Sequence, residues 1–424
     1  LLFFSFSYTW SFEICPVVSA PFTSESSDPL FDFQLTVIKE ENASYLSLIP
    51  GPALPEAARR YLEEYLQQTR KYRNIGTDDQ IRFSLYQPVM NSEAGRRSLY
   101  MRLRRKFAKE RLPQAATIGV TKACQCKCAH CSADYHMASA NKNLSDAQLQ
   151  QAVKEAVDLG VTNIILLGGE PLLRRGLESI IEAVDDRAQA VMFTNGEYLT
   201  AGRCRSLVAA GLSGVFVSLD SPEAGEHDAL RKRPGLFHKL AEGIANAKEA
   251  GLAVAVSSYL TTERVQDGVF ERTMELAREW KANEVTFFDA IPVGRMSSDC
   301  CTFLDMPTRR MIDSLTRAYR ARLEYPAVTP QSILTSEIGS SFCFAANTQF
   351  YLSSTGDMCP CDFTPLTIGR YPDESIETLW KRMIATPQYR RRSKVCRMQD
   401  PEFRRATIER IPADAALPYP IEAL

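Results

Sequence analysis

The sequence predicts an α/β protein built from parallel βα units, and three observations carry that prediction. Short apolar runs alternate with amphipathic helical stretches from about residue 116 to about residue 290. Helix start and stop residues mark the junctions, as in the Ser145–Gln148 capping box and the Gly160 stop. Past residue 300 the alternation ends and a cysteine-bearing pattern of another kind begins. Six strands in such a series suit a partial barrel or an open sheet, and periodicity leaves both open.

In chain order, the first stretch is apolar to about Cys15. It lacks a basic flank and contains Glu13, so it reads as a poorly specified leader or a mis-called start. A signal peptide fits less well, although Val18-Ser19-Ala20 resembles a cleavage site. Residues 21–50, rich in Pro, Ser and Asp, read as loop. Pro55 opens a helix over 55–73 with Leu62, Tyr65 and Leu66 as its stripe. A helix over 96–111 sets Leu99, Leu103 and Phe107 against Arg96, Arg97, Arg102, Arg104, Arg105, Lys106, Lys109 and Arg111. That basic face reads as solvated, with an acidic partner or leader peptide as the alternative.

Six strands follow, over 116–120, 163–167, 190–194, 215–219, 252–257 and 285–288. Leu149, Val153 and Val157 line the first intervening helix, and others fall near 177–184, 200–210, 236–250 and 268–280. The tail reads as a small separate domain. It has a helix near 307–323, a hairpin over 348–363 turning at Thr355-Gly356, and a short helix around 376–383. The division is then 1–115 as an N-terminal extension, 116–300 as the core and 301–424 as the tail.

The 424 residues are 45% hydrophobic and 24% charged, with a net charge of -1. This is the make-up of a globular protein with a full core, and it favours neither nucleic acid nor a membrane surface. No segment is long and apolar enough to span a bilayer. Twelve cysteines are many, and four fall in one loop while Cys343, Cys359, Cys361 and Cys396 gather late. Tight groups in a large chain read as metal ligands in a reducing compartment, so the cytoplasm is expected. Cys15, Cys204, Cys300 and Cys301 read as packing or incidental thiols.

The loop is Cys124-Gln125-Cys126-Lys127-Cys128-Ala129-His130-Cys131, and Cys124, Cys128 and Cys131 give the spacing C-x3-C-x2-C. It follows the first strand, where α/β active sites sit. Three thiolates on a four-iron cluster would leave one iron open for chemistry. Zinc on three Cys and a His is the rival, but zinc sites draw ligand pairs from separated segments. Cys126 falls outside that spacing and reads as a bystander, its alternate position pointing it away from the cluster.

With Gly168-Gly169-Glu170-Pro171 after the second strand, Thr194-Asn195-Gly196 ending the third and Ser218-Leu219-Asp220-Ser221 ending the fourth, the chain resembles the radical S-adenosylmethionine (SAM) superfamily. The resemblance implies a partial (βα)6 TIM-like barrel. It also implies a 4Fe–4S cluster on Cys124, Cys128 and Cys131 that binds SAM, with His130 beside the adenine rather than on the metal. Gly168 and Gly169 would allow close approach, and Glu170 would receive the SAM amine. Thr194 and Ser218 would bond its methionine or ribose, and Arg231 would neutralise its carboxylate. Strand-end capping competes for Thr194 and Ser218, and a surface ion pair for Arg231.

Gly356 to Cys361 matches the G-x4-C spacing of SPASM or twitch domains, so the tail resembles a small α+β auxiliary-cluster domain. One auxiliary iron–sulfur cluster on Cys343, Cys359, Cys361 and Cys396 is implied, with Cys359 fitting least well. The resemblance implies reductive SAM cleavage and hydrogen abstraction. The electron would come from a low-potential donor such as flavodoxin or ferredoxin. A ribosomally made peptide or protein is the first choice of substrate, and a small molecule in a dehydrogenase or cofactor pathway the second. A non-catalytic electron carrier is the rival of another class. Residues 21–115 show no helix-and-strand pattern of a leader-binding domain.

Overall fold

A computed structural model describes residues 25–40, 43–297 and 303–424. The apolar leader with Cys15, and Cys300 and Cys301, lie outside the described residues.

The N-terminal region corrects the reading of 21–50 as loop. Strands β1 (Phe33–Glu40) and β2 (Ala43–Pro50) pair antiparallel, Phe33 opposite Pro50 and Val37 opposite Leu46. Phe33, Leu35, Val37, Leu46 and Leu48 alternate onto one face and pack on the helices Glu56–Thr69 and Glu93–Phe107. The second helix corrects the solvated-face reading. Arg97 is fully buried: it pairs with Glu25 at 2.6 Å and donates to the carbonyls of Val157 and Val161 at 2.8 and 3.0 Å. It thereby ties down the last turn of the helix Asp146–Asp158, where Val157 O also accepts from Gly160 N, and the chain just beyond it at Val161. A run of arginines here is a set of tethers to neighbouring backbone, because a guanidinium offers five donors where carbonyls lack partners.

The six expected strands form: β3 (Ala115–Gly119), β4 (Asn163–Leu167), β5 (Gln189–Thr194), β6 (Leu212–Ser218), β7 (Ala253–Leu260) and β8 (Glu284–Asp289). The tail adds β9 (Ala327–Pro330), β10 (Gln349–Leu352) and β11 (Met358–Cys359) to the same sheet. The order is β11-β10-β3-β4-β5-β6-β7-β8-β9, parallel throughout except for β11 against β10. Parallel strands with helices packed on one face make an α/β partial barrel.

Alternate residues divide the sheet's two faces. Ile118, Ile164, Leu166, Met192, Val217, Val256 and Phe287 meet the helices in one core, which continues without a break into Phe350, Trp380 and Tyr389 of the tail. Ile165, Val191, Phe193, Phe216 and Ala255 face the lumen, and Ile75, Leu85 and Tyr86 plug its lower end. The plug is fixed by Glu284, which accepts from Ser84 Oγ at 2.7 Å and Leu85 N at 2.8 Å. Glu284 starts its strand, so the plug closes the N-terminal end and leaves the C-terminal end for the site. Among the described residues, no helix is long and apolar enough to cross a membrane.

Candidate active site

The cysteine loop leaves β3 and is clamped from three sides. Gly169 N donates to Thr121 O at 2.7 Å and Glu170 N to Ala123 O at 2.8 Å. A Cβ would stand 2.3 Å from Thr121 O at Gly168 and 2.2 Å from Ala123 O at Gly169. The close approach that these glycines permit is therefore to the loop's own backbone. On another side Lys127 N donates to Arg231 O and Ala129 N to Leu230 O, at the end of the helix Ala224–Arg231. Arg295 closes the third, its N–H on Cys131 O and its Nη1 on Cys128 O at 2.9 Å.

Cys124, Cys128 and Cys131 are half-buried and unpaired in disulfides. Cys126 does not point away. It is buried, and its thiol donates toward both Cys124 and Cys128, which lowers those two and raises Cys126 itself. The loop is irregular, and its turns bring the Cys126 thiol in among its neighbours. Burial pushes Cys131 up to about 11. Three thiols on one loop suit a cubane, whose thiolates take separate irons. The donor set fits the cluster.

Glu170 is almost fully buried, and burial raises its carboxyl. It accepts from Thr194 Oγ1 at 2.7 Å, Asn195 N at 2.8 Å and Leu172 N at 3.1 Å. Thr194 also accepts from Gly196 N at 3.0 Å, so its hydroxyl braces the β4 and β5 ends. Ser218 ends β6 and, among the described residues, makes no side-chain hydrogen bond, which leaves it available to a ligand. Arg231 lies in no surface pair: it is buried, with Nε 2.7 Å and Nη2 2.9 Å from the Asp220 carboxylate. Against the upward push of burial, Arg231 holds Asp220 far below the usual carboxylate range. His130 Nε2 stands 3.3 Å from Asp220 and its ring stacks on Tyr259 at 4.6 Å.

Sequence reasoning passed over Asp220, Tyr259 and Arg295. Asp220 was in view inside Ser218–Ser221, whereas Tyr259 lies past the expected end of its strand. Gln125 was also unremarked; its amide donates to Glu197 at 2.8 Å, which holds Arg233 and Lys239.

In the tail, Cys343, Cys361 and Cys396 come together. Cys396 donates toward Cys343 and lowers it, and both Cys343 and Cys396 lie within electrostatic reach of Cys361. Cys361 also lies 3.0 Å from Thr364 Oγ1. Cys359 also lies within electrostatic reach of Cys361, its sulfur 3.9 Å from Asp357 O and within reach of the Tyr135 and Tyr351 phenols. Between the two cysteine groups lies a buried layer in which the His136 ring meets Tyr135 at 4.1 Å and Tyr351 at 4.9 Å.

Known proteins match this arrangement. The Radical SAM superfamily profile matches residues 118–282, and an iron–sulfur cluster-binding domain, SPASM, matches 343–402. The GTP 3′,8-cyclase of Thermodesulfovibrio yellowstonii is 31% identical over 64% of this chain and 91% of its own length. The AdoMet-dependent heme synthase of Nitratidesulfovibrio vulgaris is 26% identical over 64% of this chain and 79% of its own. Streptococcus suis SuiB bound to precursor peptide SuiA is similar in fold, with a TM-score of 0.53 at 16% identity over 83% of this chain and 87% of its own.

Proposed function

Since the chain belongs to the radical SAM superfamily and carries a C-terminal SPASM iron–sulfur domain, we propose that it modifies a ribosomally made peptide or protein by crosslinking or oxidation. In this reading Cys124, Cys128 and Cys131 hold the 4Fe–4S cluster, and Cys343, Cys361 and Cys396 hold an auxiliary one, with Cys359 behind them. When bound, the cluster and SAM supply reductive C–S cleavage and hydrogen abstraction by the 5′-deoxyadenosyl group.

The chain's own residues position that chemistry. Gly168 and Gly169 let the cysteine loop lie flat on the next strand end. Glu170 has a lone pair free to accept the SAM amine, after Thr194, Asn195 and Leu172 have fixed its plane. Arg231 meets the SAM carboxylate as half of a buried ion pair. Ser218 offers a hydroxyl to the methionine or ribose, and the His130–Tyr259 stack offers a flat wall for adenine.

The observation that carries the peptide reading is the β1–β2 hairpin. Among the described residues no further strand pairs with either outer edge, and a groove beside the hairpin is lined by Asp28, Phe31, Phe33, Ile49 and Arg96. An extended peptide adds to such an edge as a further strand. The likeness to SuiB supports it: residues 116–424 are 309 of 424, so a match over 83% of the chain takes in part of the N-terminal region. The second reading, a small-molecule enzyme of a cofactor pathway, is favoured by the names of the curated relatives.

The test is 5′-deoxyadenosine formation by the anaerobically reconstituted, reduced enzyme with SAM. The peptide reading expects stimulation by members of a peptide library and a peptide product lighter by one H2. Stimulation by a tetrapyrrole or GTP, with every peptide inert, would establish the second reading instead.

A further inference from the structure

A basic loop lies against the C-terminal cysteine group. Between Thr378 and Gln399 the sequence holds seven Lys and Arg and no Asp or Glu, in a chain whose 50 basic and 51 acidic residues balance. Arg390, Arg391, Arg392 and Lys394 are exposed. The other cations of the stretch are engaged: Lys381 pairs with Glu377, Arg382 with Glu374, and Arg397 lies over the Tyr389 ring at 5.0 Å. Among the described residues, the side chains of Arg390, Arg391, Arg392 and Lys394 have no carboxylate partner. Arg392 also lies within electrostatic reach of Arg105, as do Arg102 and Arg111, so like charge gathers from two parts of the fold.

The loop is held by its backbone, which leaves those four side chains free. Ser393 O accepts from Cys343 N at 2.9 Å, Arg390 O and Tyr389 O accept from Arg111 at 3.1 and 2.6 Å, and Arg391 O accepts from Arg397. Just past the run, Cys396 N donates to Thr335 O at 2.9 Å. Tyr389 turns inward, fully buried and within electrostatic reach of Cys361 and Cys343. The exposed cations therefore flank a carbonyl that is bonded to the backbone of a candidate cluster ligand. Like charges fixed side by side repel one another, and an acidic partner relieves that repulsion.

We infer that this loop is the docking surface for an acidic electron-carrier protein, one with a low-potential one-electron group at its surface, and that electrons enter beside Cys343 and Cys396. Complementary charge steers such a carrier to the loop and fixes its orientation. One electron then leaves the carrier and enters the cluster held by Cys343, Cys361 and Cys396. The carrier is oxidised by one electron, the cluster is reduced by one, and no bond forms or breaks. Nucleic acid and anionic lipid are also negative, but neither accounts for a basic loop bonded to the surround of a redox centre. The inference rests on the auxiliary-cluster assignment and is independent of whether the substrate is a peptide or a small molecule.

The experiment is calorimetric titration of reconstituted holoenzyme with an acidic flavodoxin, at low and high salt. Binding should weaken with salt. The triple variant Arg390→Gln/Arg391→Gln/Arg392→Gln should bind about tenfold more weakly, and the corresponding triple Lys variant should keep most of the affinity. In the Gln variant, 5′-deoxyadenosine formation driven by limiting reduced flavodoxin should fall about as far, whereas formation driven by dithionite, which needs no docking, should match the wild type. Equal flavodoxin binding by wild type and Gln variant overturns the inference. So does an arginine-dependent preference for a short RNA or for phosphatidylserine vesicles over flavodoxin, which would assign the loop to that partner. Iron analysis separates the remaining failures. About four irons per wild-type chain overturn the auxiliary-cluster assignment and the inference with it, whereas more iron with arginine-independent binding overturns the inference alone.

Discussion

Between the thiols of Cys124 and Cys128, the buried Cys126 donates to both and holds them toward thiolate. Cys126→Ala should leave iron and sulfide counts at the wild-type level. It should make the cluster harder to reduce, because hydrogen bonds to cluster sulfurs raise the potential. Cys128→Ala should lose about four irons per chain. Metal analysis and potentiometric EPR read both. His136 gives a prediction of another kind. Burial pushes it down to about 4 from 6.5, and neither ring nitrogen has a hydrogen bond. Its contribution to stability is complete above pH 6.5 and is lost as the pH falls toward 4, on the order of 3 kcal/mol in all. Urea unfolding at about pH 7 and about pH 5 should show that slope in the wild type and a shallower one in His136→Phe. The three spaced cysteines and Gly168–Glu170 were legible because their chemistry survives in one dimension. Cys126, Asp220 and Tyr259 were not, because their roles depend on how an irregular loop and three strand ends converge.

Secondary structure was legible where period and punctuation agree. Ser145 and Gln148 form the capping box that their spacing announces, and the six core strands lie where the apolar runs place them. The β1–β2 hairpin was hidden because its alternation sits among Pro, Ser and Asp, and β9 because four residues ending in Pro330 carry little pattern. The Glu93–Phe107 helix misleads for a physical reason: a charge run looks solvated until its partners, distant carbonyls, are known. Arg97→Ala should cost about 3 kcal/mol, since it removes the partner of Glu25 and of the Val161 carbonyl in the interior; denaturant titration measures it. Gly169→Ala should be as damaging to the site as to the fold. Its methyl would drive into Ala123 O and move the cysteine loop, so the cluster content of purified protein should fall.

At the scale of the molecule, the tail and the core share one sheet. β9 pairs with β8, β10 with β3, and the helix-side core runs through both without interruption. The sequence marks a change of pattern near residue 300 but not this integration, because parallel pairing across such a distance leaves no local trace. A chain truncated after residue 300 loses the neighbours of both outer core strands. It should fail to give a cooperative thermal transition, whereas separable domains would each melt on their own.

The pairing of β10 with β3 also sets a timetable. Gln349 lies beside Ala115, so more than half of the chain must be synthesised before the strand that carries the cysteine loop gains its last neighbour. An emerging chain therefore holds that loop open while translation proceeds, and the barrel shuts over it only near the end of synthesis. A ribosome-stalled chain ending before residue 349 should therefore accept iron and sulfide faster than the released, folded apoprotein.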